Sequence, residues 1–170
     1  MTQTHHPPNE FPLEHDPVVL NDWHPVAIAA GIAPGKMAAT TLLGLGIVLW
    51  RDQGGTLHAW EDRCPHRGMK LSMGTLEADT LTCPYHGWVF DSAGRCVNVD
   101  AKERGNYPAY FDSLSHDIAQ VKVGVYRGFI FGSLNPAVEP IEQHLGGAAR
   151  VIDAMADQSP QGLELLRGGV

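Results

Sequence analysis

Two short motifs, Cys64-Pro65-His66 and Cys83-Pro84-Tyr85-His86, constrain this chain more than any other feature of its sequence. Each motif places a thiol and an imidazole in one loop, and sixteen residues separate the two. Thiolates suit zinc or iron–sulfur clusters, and imidazole raises the potential of an iron that it binds. The fold is therefore expected to bring two loops together around one metal centre.

Two kinds of centre use two Cys and two His. In a mixed-ligand [2Fe–2S] cluster, two Cys bind one iron and two His bind the other. A structural zinc ion is the alternative, but about two to four residues usually separate the ligands of one zinc knuckle. Only one residue lies between Cys64 and His66. That spacing favours a cluster, in which the two side chains reach different irons and the protein moves single electrons.

The residues beside the four ligands also suit a cluster. A Pro follows each Cys and stiffens the backbone, while Gly68 and Gly87 allow the chain to approach sulfur closely. Backbone N–H groups directed at sulfur would raise the potential. Tyr85 and Trp88 are expected to screen one side from water, and an exposed His ligand would be the exit for the electron.

Composition indicates one globular, soluble domain and excludes several classes of function. The 170 residues are 44% hydrophobic and 18% charged. No segment approaches the roughly 18 apolar residues of a membrane helix, and no secretory signal is visible, which predicts a cytoplasmic location. The formal charge of −7, with no Lys/Arg block, argues against nucleic acid as a partner. Three Cys do not make a disulfide framework, and Cys96 is expected to be a packed strand residue.

Hydrophobic periodicity predicts a mainly β domain: two packed antiparallel sheets or a small open barrel, with the ligand loops at one end. Gly-containing turns are predicted at Asp52–Gly55, at Gly44–Gly46 and at Ser92–Arg95. The predicted strands are Trp23–Ala29, Met37–Leu43, Ile47–Arg51, Thr56–Glu61, Trp88–Asp91, Cys96–Val99, Ile118–Tyr126 and Phe129–Phe131.

The two ends of the chain differ from its middle. Residues 1–17 are polar, rich in Pro and His, and predicted to be a mobile arm. Residues 18–134 form the predicted β domain. Asn135-Pro136 resembles a helix start, and an amphipathic helix is predicted through about Asp157. Its apolar positions are Ile141, Leu145, Ala148, Ile152 and Met155. Residues 135–170 are then a helix with a tail.

The motifs resemble those of a known family. Cys64-Pro65-His66-Arg67-Gly68-Met69 and Cys83-Pro84-Tyr85-His86-Gly87-Trp88 are similar to the Rieske domain of ring-hydroxylating oxygenase α subunits. The start of the domain, at 21–27 and 48–51, looks like the phthalate and vanillate type. Residues 126–135 and 157–164 look more like benzoate and anthranilate dioxygenases, which suggests aromatic carboxylates as substrates.

The resemblance implies that Cys64 and Cys83 bind one iron of a Rieske [2Fe–2S] cluster, and that His66 and His86 bind the other. The residues expected around the cluster are Arg67, Gly68, Tyr85, Gly87 and Trp88. Respiratory relatives carry a disulfide between the two loops. Met69 and Tyr85 occupy those positions here, which implies the low-potential type.

Relatives of this type continue into a catalytic domain that holds a mononuclear iron, and residues 135–170 would be its start. No catalytic residue is predicted in this chain, because the remaining His residues form no ligand group; they include His24, His58, His116 and His144. The chain alone is therefore not expected to hydroxylate a substrate. An uncovered apolar helix face would favour self-association.

Three functions remain open. The first is an electron-transfer component of an oxygenase system. It would accept electrons from a reductase or ferredoxin and pass them to a mononuclear iron on another domain or chain. The second is a self-standing Rieske ferredoxin, although the helix and tail exceed what such a carrier needs. The third is a non-redox remnant or a structural zinc module.

Overall fold

The computed structural model describes residues 16–99, 107, 111–112, 115–159 and 161. Ten β-strands in these residues form three antiparallel sheets, with helices before and after them. The predicted mainly β architecture, followed by a helical segment, is confirmed. Residues 1–15 of the predicted N-terminal arm lie outside the described residues.

Each sheet contributes a separate part of the domain. The strands are β1 (His24–Ile28), β2 (Met37–Leu42), β3 (Leu45–Arg51), β4 (Leu57–Glu61), β5 (Thr75–Glu77), β6 (Thr80–Thr82), β7 (Val89–Phe90), β8 (Cys96–Asn98), β9 (Lys122–Tyr126) and β10 (Phe129–Ser133). The first sheet has the order β1-β10-β9 and the second β2-β3-β4, and an isolated bridge between Trp60 and Gln120 joins them. The third, with the order β5-β6-β7-β8, follows the first ligand motif and surrounds the second.

The central strand of the second sheet explains the apolar run at 47–50. All four side chains are buried, because β2 and β4 flank β3 and the core covers both of its faces. The predicted turn after β3 is confirmed: Gly55 has φ +87°, and its N–H donates to the carbonyl of Asp52 at 3.0 Å. The turn predicted at Gly44–Gly46 lies one residue earlier, at Leu43-Gly44, and Gly46 belongs to β3.

The hairpin formed by β5 and β6 has no strong signal in the sequence. Its two strands have three residues each, and the turn between them is Ala78-Asp79, with φ +45° and +62°. Left-handed turn positions usually carry Gly or Asn, so this turn gave no recognisable pattern. The strand predicted from Ile118 begins only at Lys122, because the segment before it makes a single bridge to β4.

The ligand loops rest on the largest hydrophobic core of the described residues. Trp50, Trp60 and Trp88 are its bulkiest members, and Cys64, Cys83 and Cys96 are buried in it. The prediction that Cys96 is a packed strand residue is confirmed: it lies in β8, fully shielded from solvent. The two ligand loops therefore rest on a tightly packed core rich in aromatic side chains.

The helices differ partly from the prediction. A short helix, α1 (Pro17–Leu20), begins with Asp16 as its N-cap. The C-terminal segment contains α2 (Ile141–Leu145), a 3₁₀ turn and α3 (Ala149–Asp157). The helix start predicted at Asn135-Pro136 is wrong. Asn135 accepts a hydrogen bond from the N–H of Ala137 at 2.9 Å, but this local turn does not continue into a helix.

Only part of the predicted apolar helix face is buried. Ile141 packs against Trp23 and Phe131, and Leu145 and Ile152 border the same cluster. Met155 is 53% exposed, because the backbone changes direction at Gly146 (φ +45°) and shifts the face of α3. No helix in the described part of the chain has the length and apolar character needed to cross a membrane.

Candidate metal centre

The two ligand loops begin where strands end. The first follows β4 and runs into a 3₁₀ turn at Leu71–Met73. The second is the connection of the β6–β7 hairpin, so the sheet fixes both of its ends. Loops supported in this way hold their side chains in place with little freedom.

Both loops have the same backbone construction over six residues. In the first, the N–H of Cys64 donates to the carbonyl of Met69, and the N–H of Gly68 donates to the carbonyl of Cys64, both at 2.8 Å. In the second, Cys83 and Trp88 make the first bond at 2.8 Å, and Gly87 and Cys83 make the second at 3.1 Å. Gly68 and Gly87 have φ +73° and +63°. The fifth residue of each loop must therefore be one that tolerates the left-handed region.

The two thiols of the motif face each other inside the core. Cys64 is 1% exposed and Cys83 is 2% exposed. Burial, together with the neighbouring thiol of Cys83, raises the pKa of Cys64 to about 12, although the backbone N–H groups of His66 and Arg67 point at its sulfur and oppose the rise. A buried thiol pair of this kind needs a bound cation to become a pair of thiolates.

The two imidazoles form a second pair beside the thiols. The ring centroids of His66 and His86 are 4.6 Å apart, with the rings inclined at 66°. His66 is half-buried and lies parallel to Trp88, with centroids 4.7 Å apart and an angle of 4°. Burial and the nearby His86 and Arg67 lower the pKa of His66, which favours the neutral ring that binds metal.

His86 is exposed, and Tyr85 beside it is 59% exposed. Their ring centroids lie 3.8 Å apart. Tyr85 therefore covers one face of the His86 ring but leaves the rest open to solvent. Trp88, by contrast, is buried and packs on His66 from inside. The structure thus presents one imidazole to solvent and anchors the other.

Comparison with known protein families identifies the kind of domain that carries these two loops. The profile of the Rieske [2Fe-2S] domain matches residues 22–123, which include both ligand loops. The match covers more than half of the chain. This chain belongs to the Rieske [2Fe–2S] domain family.

Its relatives include subunits of ring-hydroxylating dioxygenases. It is 38% identical over 165 residues to toluate 1,2-dioxygenase subunit alpha of Pseudomonas putida, covering 95% of this chain and 36% of the relative. It is 36% identical over 165 residues to anthranilate 1,2-dioxygenase large subunit of Acinetobacter baylyi, covering 95% and 35%. The chain thus spans about a third of the length of these relatives. The resemblance to oxygenase α subunits is confirmed.

Solved structures show the same fold. A quaternary ammonium Rieske monooxygenase has a TM-score of 0.70 and 26% identity, covering 85% of this chain and 42% of that one. A variant of naphthalene 1,2-dioxygenase bound to phenanthrene has a TM-score of 0.71 and 27% identity, covering 88% and 34%. Because both similarities extend over most of the chain, they include more than the two loops.

Membership of the Rieske family implies a Rieske-type [2Fe–2S] cluster, and the residues present fit one. Such a cluster takes two thiolates on one iron and two imidazoles on the other. The structure pairs two buried thiols and, on the same two loops, pairs two imidazoles, with backbone N–H groups directed at the Cys64 sulfur. Among the described residues, no group of three or more Cys, His, Asp or Glu side chains is placed to hold a single metal ion. The three cysteines form no disulfide, so both thiols of the motif are available.

Behind the Rieske motif lies an aromatic group that the sequence pattern did not reveal. Nε1 of Trp88 donates to the hydroxyl of Tyr107 at 3.3 Å, and Tyr107 stacks on Phe111 with centroids 4.4 Å apart. Phe111 and Trp88 both contact the ring of His116. Tyr107, Phe111 and His116 come from a segment whose sequence is otherwise polar and irregular. The aromatic residues Tyr107 and Phe111 were the sequence feature that could have indicated this packing.

A buried carboxylate closes the first Rieske loop, and the sequence did not reveal it either. Asp62 is 8% exposed and accepts two hydrogen bonds from Ser72, at 2.7 Å from the backbone N–H and at 2.6 Å from the hydroxyl. These bonds join the residues on either side of the loop, so they hold its ends together. An Asp followed ten residues later by a Ser is not a recognisable sequence motif.

The other described His residues lie outside the Rieske motif. Nε2 of His24 contacts the carbonyl oxygen of Val19 at 2.8 Å. His58 contacts Asp52 at 3.2 Å and stacks on Trp50. His144 lies 2.7 Å from Asp22 and 3.2 Å from Glu139.

Proposed function

We propose that this chain is the Rieske electron-transfer component of a ring-hydroxylating oxygenase system. Cys64 and Cys83 would bind one iron, and His66 and His86 the other. The observation that carries the proposal is the pairing of two buried thiols with two adjacent imidazoles, on loops of identical construction. When bound, the [2Fe–2S] cluster supplies a one-electron couple.

The protein residues have separate tasks in this proposal. The core around the thiols excludes water, and the N–H groups of His66 and Arg67 stabilise negative charge on the Cys64 sulfur. Trp88 holds the ring of His66 in a fixed orientation. His86 is the exposed ligand and would be the contact with partners. We assign no catalytic residue to the chain.

The proposed partners follow from the relatives. The donor would be a reductase or a ferredoxin, and the acceptor a mononuclear iron on another domain or chain. Inter-subunit electron transfer is described for a quaternary ammonium Rieske monooxygenase of similar structure. The relatives named for toluate, 2-halobenzoate and anthranilate favour an aromatic carboxylate as the substrate of the complete system. We place this function in the cytoplasm, in a protein that forms oligomers.

We also propose where the electron-transfer domain ends. The family profile stops at residue 123, inside β9. However, β10 pairs with both β1 and β9, so the first sheet is complete only at Ser133. The Rieske domain would therefore comprise residues 18–134, and residues 135–170 would begin the next part of an oxygenase subunit.

Iron and sulfide analysis tests the proposal most directly. We expect two irons and two acid-labile sulfides per chain, together with a reduced-state electron paramagnetic resonance signal whose average g value lies below that of the free electron. A reduced [2Fe–2S] cluster gives such a signal, and zinc gives none. A colourless protein that binds one zinc per chain would contradict the proposal and support the structural zinc module. A protein that binds neither would support the non-redox remnant.

A further inference from the structure

Three basic side chains occupy the first Rieske loop and its end: Arg63, Arg67 and Lys70. We call them the cationic rim. All three are exposed, and they lie within eight consecutive residues of a chain whose formal charge is −7. The charge near the metal centre is therefore opposite in sign to that of the whole protein. A local reversal of this kind affects which surfaces approach the site.

Outside the rim, two described arginines form ion pairs, whereas Arg51 and Arg150 form none with a described carboxylate. Arg95 pairs with Asp91 at 2.7 Å, and Arg127 pairs with Asp153 and Asp157. Among the residues that the structure describes, none of the three rim cations pairs with a carboxylate. Asp62, next to Arg63 in sequence, directs both of its oxygens at Ser72.

The rim also lies close to the exposed ligand. The Arg63 side chain folds back over the loop. Its Nε would lie 3.3 Å from the Cβ of an alanine at position 68. Arg67 follows His66, whose ring is 4.6 Å from that of His86. Residues 63–70 and 83–88 contain no acidic side chain. No negative charge within these loops therefore offsets the rim.

We propose that the cationic rim, together with exposed Tyr85 and His86, is the docking surface for an acidic redox protein. The inference rests on the proposed electron-transfer function. Unpaired exposed cations add little to folding stability, but they accelerate encounter with a surface of opposite charge. Because this steering acts through solvent, it weakens as salt shortens the Debye length, which is about 10 Å at 0.1 M. A partner with a basic surface would be repelled by the same three side chains.

The test measures electron transfer into the cluster-loaded full chain. A reduced plant-type [2Fe–2S] ferredoxin of acidic surface is the donor: it loses one electron, and the Rieske centre gains it. Plant-type ferredoxins have lower potentials than Rieske centres, so this donor is a sufficient reductant. We expect the second-order rate constant, followed by stopped-flow absorbance, to fall about tenfold or more as salt rises from low to high ionic strength.

Charge-reversal variants test whether the rate constant depends on charge at the cationic rim or on the net charge of the protein. Arg63→Glu should lower the rate constant at low salt by about tenfold, and Lys70→Glu should lower it similarly. Arg150→Glu on α3 changes the net charge equally and should leave the rate near that of the parent. Arg63→Lys keeps the charge and should restore most of the rate. The reduction potential of each variant is measured, so that a changed driving force is recognised.

Two outcomes would overturn the inference in different ways. If Arg63→Glu and Arg150→Glu slow the reaction equally, or if salt accelerates it, then net charge governs the encounter and the rim is not a docking surface. If dithionite also fails to reduce the loaded protein, the electron-transfer function itself is wrong, and the inference falls with it. Reduction by dithionite with a rate set by net charge leaves the proposed function standing.

Discussion

The two Rieske loops share one backbone design, but they present their histidines differently. Each begins with a buried Cys, closes with the same pair of hydrogen bonds and has a left-handed Gly at its fifth position. The His occupies the third position of the first loop, as His66, and the fourth position of the second, as His86. The two imidazoles thus leave equivalent backbones one position apart.

The surroundings of the loops add to that difference. Asp62 and Ser72 close the first loop, and Trp88 covers the inner face of its His66. The second loop is held by its hairpin and carries the exposed His86. We infer that the shared backbone positions Cys64 and Cys83. The residues packed around each loop determine which of the two imidazoles is exposed to solvent. Substitutions can separate these two contributions.

The largest expected effect is the loss of the cluster when the Cys of either loop is replaced. Cys64→Ser and Cys83→Ser should each abolish the cluster, because a hydroxyl is a much weaker ligand for iron than a thiolate. Iron and sulfide analysis of the purified protein measures this. Cys96→Ser is the matched control, since Cys96 is equally buried but belongs to β8 and to neither loop. A variant at 64 or 83 that retained a full cluster would show that the loops are not equivalent.

The second effect concerns the imidazoles. His66→Cys and His86→Cys should each keep a cluster but lower its potential by on the order of a few hundred mV, towards that of all-Cys ferredoxins. Thiolate donates more charge to iron than imidazole does. A spectroelectrochemical titration measures the potential. His66→Cys should also lose stability, because it removes the ring that stacks on Trp88. Similar stabilities for the two variants would argue against an anchored and an exposed histidine.

The sequence was informative where chemistry or periodicity forced the pattern. The proposed ligand set follows from spacing, and the buried strand β3 follows from its continuous apolar run. It was uninformative where long-range contacts decide. Asp62 has a role only because Ser72 folds back onto it. The Ala78-Asp79 turn has no Gly to mark it, and the helix at Ile141 starts where tertiary packing begins rather than at the capping residue Asn135.

The third effect concerns support of the first loop. Asp62→Ala leaves the N–H and hydroxyl of half-buried Ser72 without their carboxylate acceptor, and should destabilise the loaded protein by about 3 kcal/mol. Ser72→Ala removes only one of the two bonds and should cost about 1 kcal/mol. The denaturant midpoint and the rate of iron release measure both. Asp91→Ala, in the β7–β8 turn, is the control: it breaks an ion pair outside the loops and should not accelerate iron release.

The smallest effect tests the backbone equivalence itself. Gly68→Ala and Gly87→Ala each place a side chain at a positive φ, which should cost about 1–2 kcal/mol. At Gly68 the new Cβ meets only the flexible Arg63 side chain, so steric crowding adds little. If the two backbones are equivalent, the two losses, measured from denaturant midpoints, should agree. Gly31→Ala is the control: its φ is not positive and nothing lies within 4 Å, so it should lose nothing. A much larger loss at Gly87 would mean that the second loop carries a constraint which the first lacks.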